Sequence, residues 1–208
     1  MAQETKKEKR EAARKARLEA ELSRKRAQQK KRFAMLAVVT AVVLLAGYLF
    51  YQQSATSNKA GEAAAKAAGC GPVKTYPELT RAPHIAPTDP PPKYNSTPPT
   101  SGQHFAQPAQ WGSHDDSVDN RIIVHNLEHG GVIINYKDVS PSDVDKLNTL
   151  ADSFDDGVVA QPNKDITSPV VLTSWRTLQA CKKVSVQAIR HFISAHCNKA
   201  PEKFGLKC

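Results

Sequence analysis

The chain has 208 residues, 24% of them charged and 40% hydrophobic, with a formal charge of +9. That charge is not spread over the molecule: residues 1–32 hold thirteen Lys or Arg against five Glu, and the rest of the chain holds sixteen against fifteen. The split excludes a basic nucleic-acid-binding domain, because the basic stretch has no aromatic side chain to stack on a base and no recognition motif.

Residues 1–32 are rich in Ala, Glu, Lys and Arg, all good helix formers, and their only sizeable apolar residues are Leu18 and Leu22. Such a segment has no face to bury. It reads as a solvated basic tail lying on anionic lipid, where each basic residue contributes about 1 kcal/mol. Residues 33–51, from Phe33 to Tyr51, carry no charge and no proline. As a helix they span roughly 28 Å, close to the thickness of a hydrocarbon core. Tyr48 and Tyr51 stand at the far end, where amphipathic rings favour the interface. The run is longer than the apolar core of a cleaved secretory signal, so it predicts a single transmembrane helix. The basic excess before it predicts a cytoplasmic N-terminus and an extracytoplasmic C-terminal domain at the plasma membrane.

Residues 52–69 are small, polar and Ala-rich and read as a stalk; residues 70–208 form one outer domain, long enough to bury its own core. Prolines crowd residues 71–112, which predicts a long Pro-rich loop, because proline removes donors and fixes φ. The β-branched runs Arg121-Ile-Ile-Val-His125 and Gly131-Val-Ile-Ile-Asn-Tyr136 predict two strands around the Gly-bearing turn 126–130. Ser140-Pro141 reads as a cap and first residue of a helix carrying Val144, Leu147 and Leu150. Gly157–Ala160 and Pro169–Trp175 predict two further strands, and Val184, Ala188, Phe192 and Ala195 a closing helix. The expected fold is therefore α+β, a transmembrane helix followed by an outer domain with a mostly antiparallel sheet and two helices.

All four cysteines, Cys70, Cys181, Cys197 and Cys208, follow the apolar run. In an oxidising compartment they predict two disulfides, and three pairings are open. Preferred are Cys70–Cys181, which ties the start of the domain to its last strand region, and Cys197–Cys208, which pins the C-terminus to the last helix. A thiolate metal or redox site is disfavoured by the lack of a C-x-x-C spacing.

Five of the seven histidines, His84, His104, His114, His125 and His129, fall in one stretch of under fifty residues. Neutral imidazoles with a nearby carboxylate are what Zn or Cu sites need. His125-Asn-Leu-Glu128-His129 also satisfies the H-x-x-E-H pattern of a class of zinc peptidases. That chemistry requires both histidines on one helical face, whereas the flanking residues predict strands. The competing reading is structural: His, Asn and Glu satisfy the backbone of a loop that has no ladder of its own.

Three strings stand out: Arg81-Ala-Pro-His84-Ile85; Tyr94-Asn-Ser-Thr-Pro-Pro-Thr-Ser-Gly-Gln-His104; and Val124-His-Asn-Leu-Glu-His-Gly-Gly-Val132. With Ser174-Trp175 and Ala200-Pro-Glu202, they resemble the domain-of-unknown-function 3105 family of bacterial proteins over roughly residues 70–205. The resemblance implies a fold and a compartment but no activity. It marks His84, Asn95, Pro98, Pro99, Ser101, Gly102, His104, His125, Glu128, His129 and Gly130 as motif positions, and leaves out His114.

The expected protein is a single-pass envelope protein binding one metal ion through His104, His125 and His129, with His84 or Glu128 completing the shell. No methionine follows Met35, which disfavours a thioether Cu(I) site and leaves Zn or Cu(II). The alternative is an envelope protein-protein interaction or structural module whose histidines only order the Pro-rich loop. No catalytic residue is assigned, and no Ser-His-Asp set, phosphate loop or dinucleotide fingerprint points to another enzyme class.

Overall fold

A computed structural model describes residues 2–79, 84–202 and 204–208. Arg81, Ala82 and Pro83 of the quoted strings lie outside the described residues. The chain divides into two compact units, Met1–Thr56 and Ser57–Cys208.

The first unit is part of one helix, α1 (Ala2–Ala67). Its apolar stretch is exposed: Phe33, Leu36, Leu44 and Tyr51 are all more than 60% exposed. Thr40, the one hydroxyl in residues 33–47, donates to the Leu36 carbonyl one turn back (2.9 Å) and so hides its polarity inside the helix. Among the described residues this is the one helix long and apolar enough to cross a membrane, and it is compatible with a single-pass anchor.

The second unit is built on a six-stranded sheet: β1 (Lys74–Thr75), β2 (Gly112–Ser113), β3 (Val132–Tyr136), β4 (Val158–Pro162), β5 (Val170–Ser174) and β6 (Thr177–Cys181). The strand order is β1-β6-β5-β3-β4-β2. The sheet is mixed, which corrects the expectation of a mostly antiparallel one. β3 and β2 both run parallel to β4, while β3–β5, β5–β6 and β1–β6 are antiparallel. The parallel β3–β4 pair exists because the helix between them, α3 (Pro141–Asp152), carries the chain back across the sheet. Ser140 caps that helix, its hydroxyl accepting from Asp143 N–H at 3.2 Å.

The first predicted strand is also corrected. Residues 120–128 form a helix, α2 (Asn120–Glu128), so the described residues of the unit hold three helices beside the end of α1, counting α4 (Val186–His196). Asp119 caps α2 by accepting from Arg121 N–H at 2.8 Å. Ile123, Val124 and Leu127 then fall on one side, as a helix requires. β-branched composition is a weak, context-dependent preference, and here the cap and the 3–4 spacing prevail over it. At the other end Gly130, with φ +97, turns the chain out of the helix and into β3.

The sheet buries both faces. Ile133 and Val159 meet Ile123, Val124 and Leu127 of α2, with Trp175. Val132, Ile134, Tyr136 and Leu172 meet α3 and α4 through Leu147, Leu150, Ile189, Phe192 and Ile193. Full burial of each aliphatic side chain contributes about 1.5–3 kcal/mol, so α2 is held to the sheet by several kcal/mol of apolar contact. That contact fixes where its opposite face points.

Between Thr75 and Gly112 the described residues are in neither helix nor strand. Their backbone is satisfied piecemeal: Ile85 N–H donates to the His104 carbonyl (2.9 Å), Phe105 N–H to the Arg121 carbonyl (2.8 Å), and Arg176 N–H to the Thr100 carbonyl (2.9 Å). The cysteines are joined as Cys70–Cys181 and Cys197–Cys208.

Candidate metal centre

The buried face of α2 leaves His125, Glu128 and His129 on the helix's other side, at the i, i+3 and i+4 spacing that brings side chains together. The segment that crosses this face brings two more histidines. One ligand atom each from His84, His104, His125 and Glu128 lie within 4.8 Å of one another, close enough to hold one ion. The rings interlock: His84 lies 5.1 Å from His104 and 4.9 Å from His125, and His104 lies 5.2 Å from His125.

Hydrogen bonds set the direction of two of these rings. His125 Nδ1 meets the Phe105 carbonyl oxygen at 2.9 Å. A carbonyl only accepts, so Nδ1 carries the proton and Nε2 keeps its lone pair. Burial holds the His125 pKa down at about 4, with repulsion from His129 adding to it, so this imidazole is neutral at physiological pH and ready to ligate. His104 Nδ1 donates in the same way to the Gly102 carbonyl at 2.8 Å. Gly102 itself has φ +128, and a Cβ there would stand 3.1 Å from the Tyr94 ring. Tyr94 is in turn tied to the loop by its hydroxyl, which donates to the Gln103 carbonyl at 2.9 Å.

The other nitrogen of His104 faces a carboxylate. Its Nε2 is 2.9 Å from Glu128 Oε2, with the two side chains 2% and 13% exposed. With Nδ1 protonated, a neutral His104 presents a lone pair to an oxygen that only accepts. Two acceptors at this separation require a positive particle shared between them, either a proton or a metal ion. Three imidazoles and one carboxylate make a donor set that could hold a metal ion.

His129 stands beside this group and outside the set of four. Its ring is 4.3 Å from that of His125, its Nε2 is 3.2 Å from Glu202 Oε2, and the Phe204 ring lies 4.1 Å away. Burial pushes its pKa down, opposed by Glu202 and Glu128. His114 is elsewhere, its Nε2 on the Gln110 carbonyl at 2.9 Å, and His191 and His196 belong to α4.

The helical form of residues 125–128 removes the strand objection to the H-x-x-E-H pattern. In that pattern Glu is the free general base; here the Glu128 carboxylate is engaged by His104. Glu202 and Phe204 were not legible as neighbours of the cluster, because they lie more than seventy residues downstream in a polar segment. Asn126 was also missed: it reads as a turn residue, yet it is fully buried and clamps Ala109.

No curated protein and no solved structure matches the chain significantly. A family model described as "Protein of unknown function (DUF3105)" matches residues 86–208, more than half of the chain. The match takes in His104, His125, Glu128 and His129 and begins two residues after His84. The chain therefore belongs to the DUF3105 family.

Proposed function

We propose that this protein is a single-pass membrane protein whose C-terminal domain, outside the cytoplasm, binds one Zn or Cu(II) ion through His84, His104, His125 and Glu128. The observation that carries the metal reading is the convergence of one ligand atom each from His84, His104, His125 and Glu128 within 4.8 Å, with Nδ1 of His104 and of His125 already committed to carbonyls. A divalent ion there answers the facing acceptors of His104 and Glu128 at once and draws the free Nε2 of His125 and the ring of His84 into the same shell.

The membrane reading is supported by the exposed apolar stretch of α1 and by the basic excess on one side of it, which by the positive-inside bias keeps the tail in the cytoplasm on anionic lipid. Two disulfides in the second unit agree with an oxidising compartment on the other side.

Elemental analysis of the full-length protein, purified in detergent without a His tag after mild chelation and reloading, tests the centre. About one Zn or Cu per chain, lost in His104→Ala and His125→Ala with the fold retained, is the expected result. Folded protein that takes up neither ion, and whose melting temperature neither ion moves, refutes it. That outcome favours the interaction module, in which the histidines only hold the loop.

A further inference from the structure

Two of the four ligands are buried, and the Glu128 side chain is 13% exposed. His104 and His125 are 1% and 5% exposed. Behind their rings stand the Gly102 and Phe105 carbonyls that hold Nδ1 of each. The end of α2 is covered by a C-terminal strap closed by the Cys197–Cys208 bridge. Along that strap, Glu202 N–H donates to the Glu128 carbonyl at 3.2 Å, the Glu202 carboxylate meets His129, and Phe204 lies over the His129 ring. Asn198 and Leu206 lock the strap to itself: Asn198 Nδ2 donates to the Leu206 carbonyl and Leu206 N–H to Asn198 Oδ1, both at 2.8 Å.

His84 is the exception. It is the one exposed member of the set of four. The chain just after it is tied to the cluster, because Ile85 donates its N–H to the His104 carbonyl. His84 is therefore the ligand that a donor from solvent can reach and replace, even where four protein ligands fill the shell.

Resting on the metal reading above, we infer that His84 is the exchange ligand of the centre, and that the centre transfers a divalent ion to and from nitrogen-donor ligands outside the protein. The step is a ligand substitution. An external nitrogen lone pair forms a bond to the ion as the His84–metal bond breaks, His84 leaves as neutral imidazole, and the oxidation state of the ion does not change. His104, His125 and Glu128 hold the ion throughout.

The test uses the full-length protein in detergent, loaded with Zn, and a chromophoric pyridine-type chelator mixed in by stopped flow. The transfer rate is expected to rise in proportion to chelator concentration, because the incoming ligand takes part in the step. His84→Ala is expected to keep about one ion per chain with affinity lowered by about 100-fold or more, beyond the roughly 10–100-fold cost of losing an outer-shell group, because a bond to the ion is lost. Millimolar imidazole should restore its affinity to within a few-fold of the parent, since the vacated position opens to solvent. His104→Ala should lose the ion and gain nothing from imidazole. A transfer rate independent of chelator concentration, or a His84→Ala affinity equal to the parent's or deaf to imidazole, overturns the exchange route and leaves the centre standing. Parent protein that takes up no ion overturns both.

Discussion

Asn126 grips Ala109 at both of its main-chain polar groups: Oδ1 accepts the Ala109 N–H at 2.8 Å and Nδ2 donates to its carbonyl at 3.0 Å. The preceding residue, His125, holds the Phe105 carbonyl. Two adjacent helix residues thus pin the crossing segment at two points four residues apart. Asn126→Ala leaves two backbone groups without these partners, and each costs about 1–3 kcal/mol when it stays buried. Ala109 is only partly buried, so water recovers some of that. Urea unfolding of the metal-free protein should show a loss of about 2–3 kcal/mol. A loss under about 0.5 kcal/mol would mean the segment holds without the clamp.

Glu128→Gln separates the needs of the empty cluster from those of the ion. The amide can turn its NH2 toward His104 Nε2 and donate, where the carboxylate could only accept. The metal-free variant should therefore melt at or above the temperature of the parent. It should also lose most of the stabilisation that Zn or Cu gives the parent, because a neutral amide is a poor ligand for these ions. Differential scanning calorimetry with and without metal reads both changes; a metal response equal to the parent's would remove Glu128 from the shell.

Acid should destabilise the metal-free protein before its carboxylates titrate. Burial lowers the pKa of His125 to about 4, and burial likewise depresses those of His129 and His196. In the unfolded chain each histidine titrates near 6.5. Between about pH 6.5 and 4 the unfolded state therefore binds more protons than the folded one, so stability falls as pH falls across that window. Asp119 acts lower down: its hydrogen bonds with Arg121 depress its pKa, and that contribution is present above about pH 4 and lost below it. Urea midpoints measured with a chelator at steps from pH 7.5 to 4.5 should decline steadily; a flat profile would contradict the buried neutral histidines.

The two disulfides should differ in weight. Their sequence separations are 111 and 11 residues for Cys70–Cys181 and Cys197–Cys208. Loop-closure entropy gives about 5 and about 3 kcal/mol respectively as chain-entropy estimates. Paired Cys→Ala variants should lose stability in that order. The Cys197/Cys208 pair variant should also lower metal affinity, since it frees the strap from the end of α2. Equal losses in the two variants would show that the loop-length account does not govern here.

Much of this was legible in the sequence where one residue type has one reading. The charge split, the apolar run and the Ser140-Pro141 helix start emerge from local pattern; the motif strings offer the histidines and Glu128, but sequence alone favours His129 as a ligand with His104 and His125, whereas the ligand atoms that come together are those of His84, His104, His125 and Glu128. Residues 121–125 were misread because Ile-Ile-Val satisfies a strand and a buried helix face equally well; Asp119, two residues earlier, was the signal that decides between them. The sense of the sheet was not legible, since parallel pairing of β3 and β4 depends on how α3 packs. Glu202 and Phe204 reach His129 only because the terminal bridge folds the strap back, a long-range fact that no local pattern carries.

Both outermost strands of the sheet, β1 and β2, are two residues long. Strand β6 is longer than its β1 partner, and the remainder of its open edge is covered by residue 71: Gly71 N–H donates to the Ala180 carbonyl and Gln179 Nε2 donates to the Gly71 carbonyl, both at 2.9 Å. Cys70, joined to Cys181, staples that cover in place. An uncovered edge is a template for intermolecular strand addition. The Cys70–Cys181 bridge is thus a guard against aggregation as well as a cross-link. When it is reduced, self-association through β6 should precede loss of the fold.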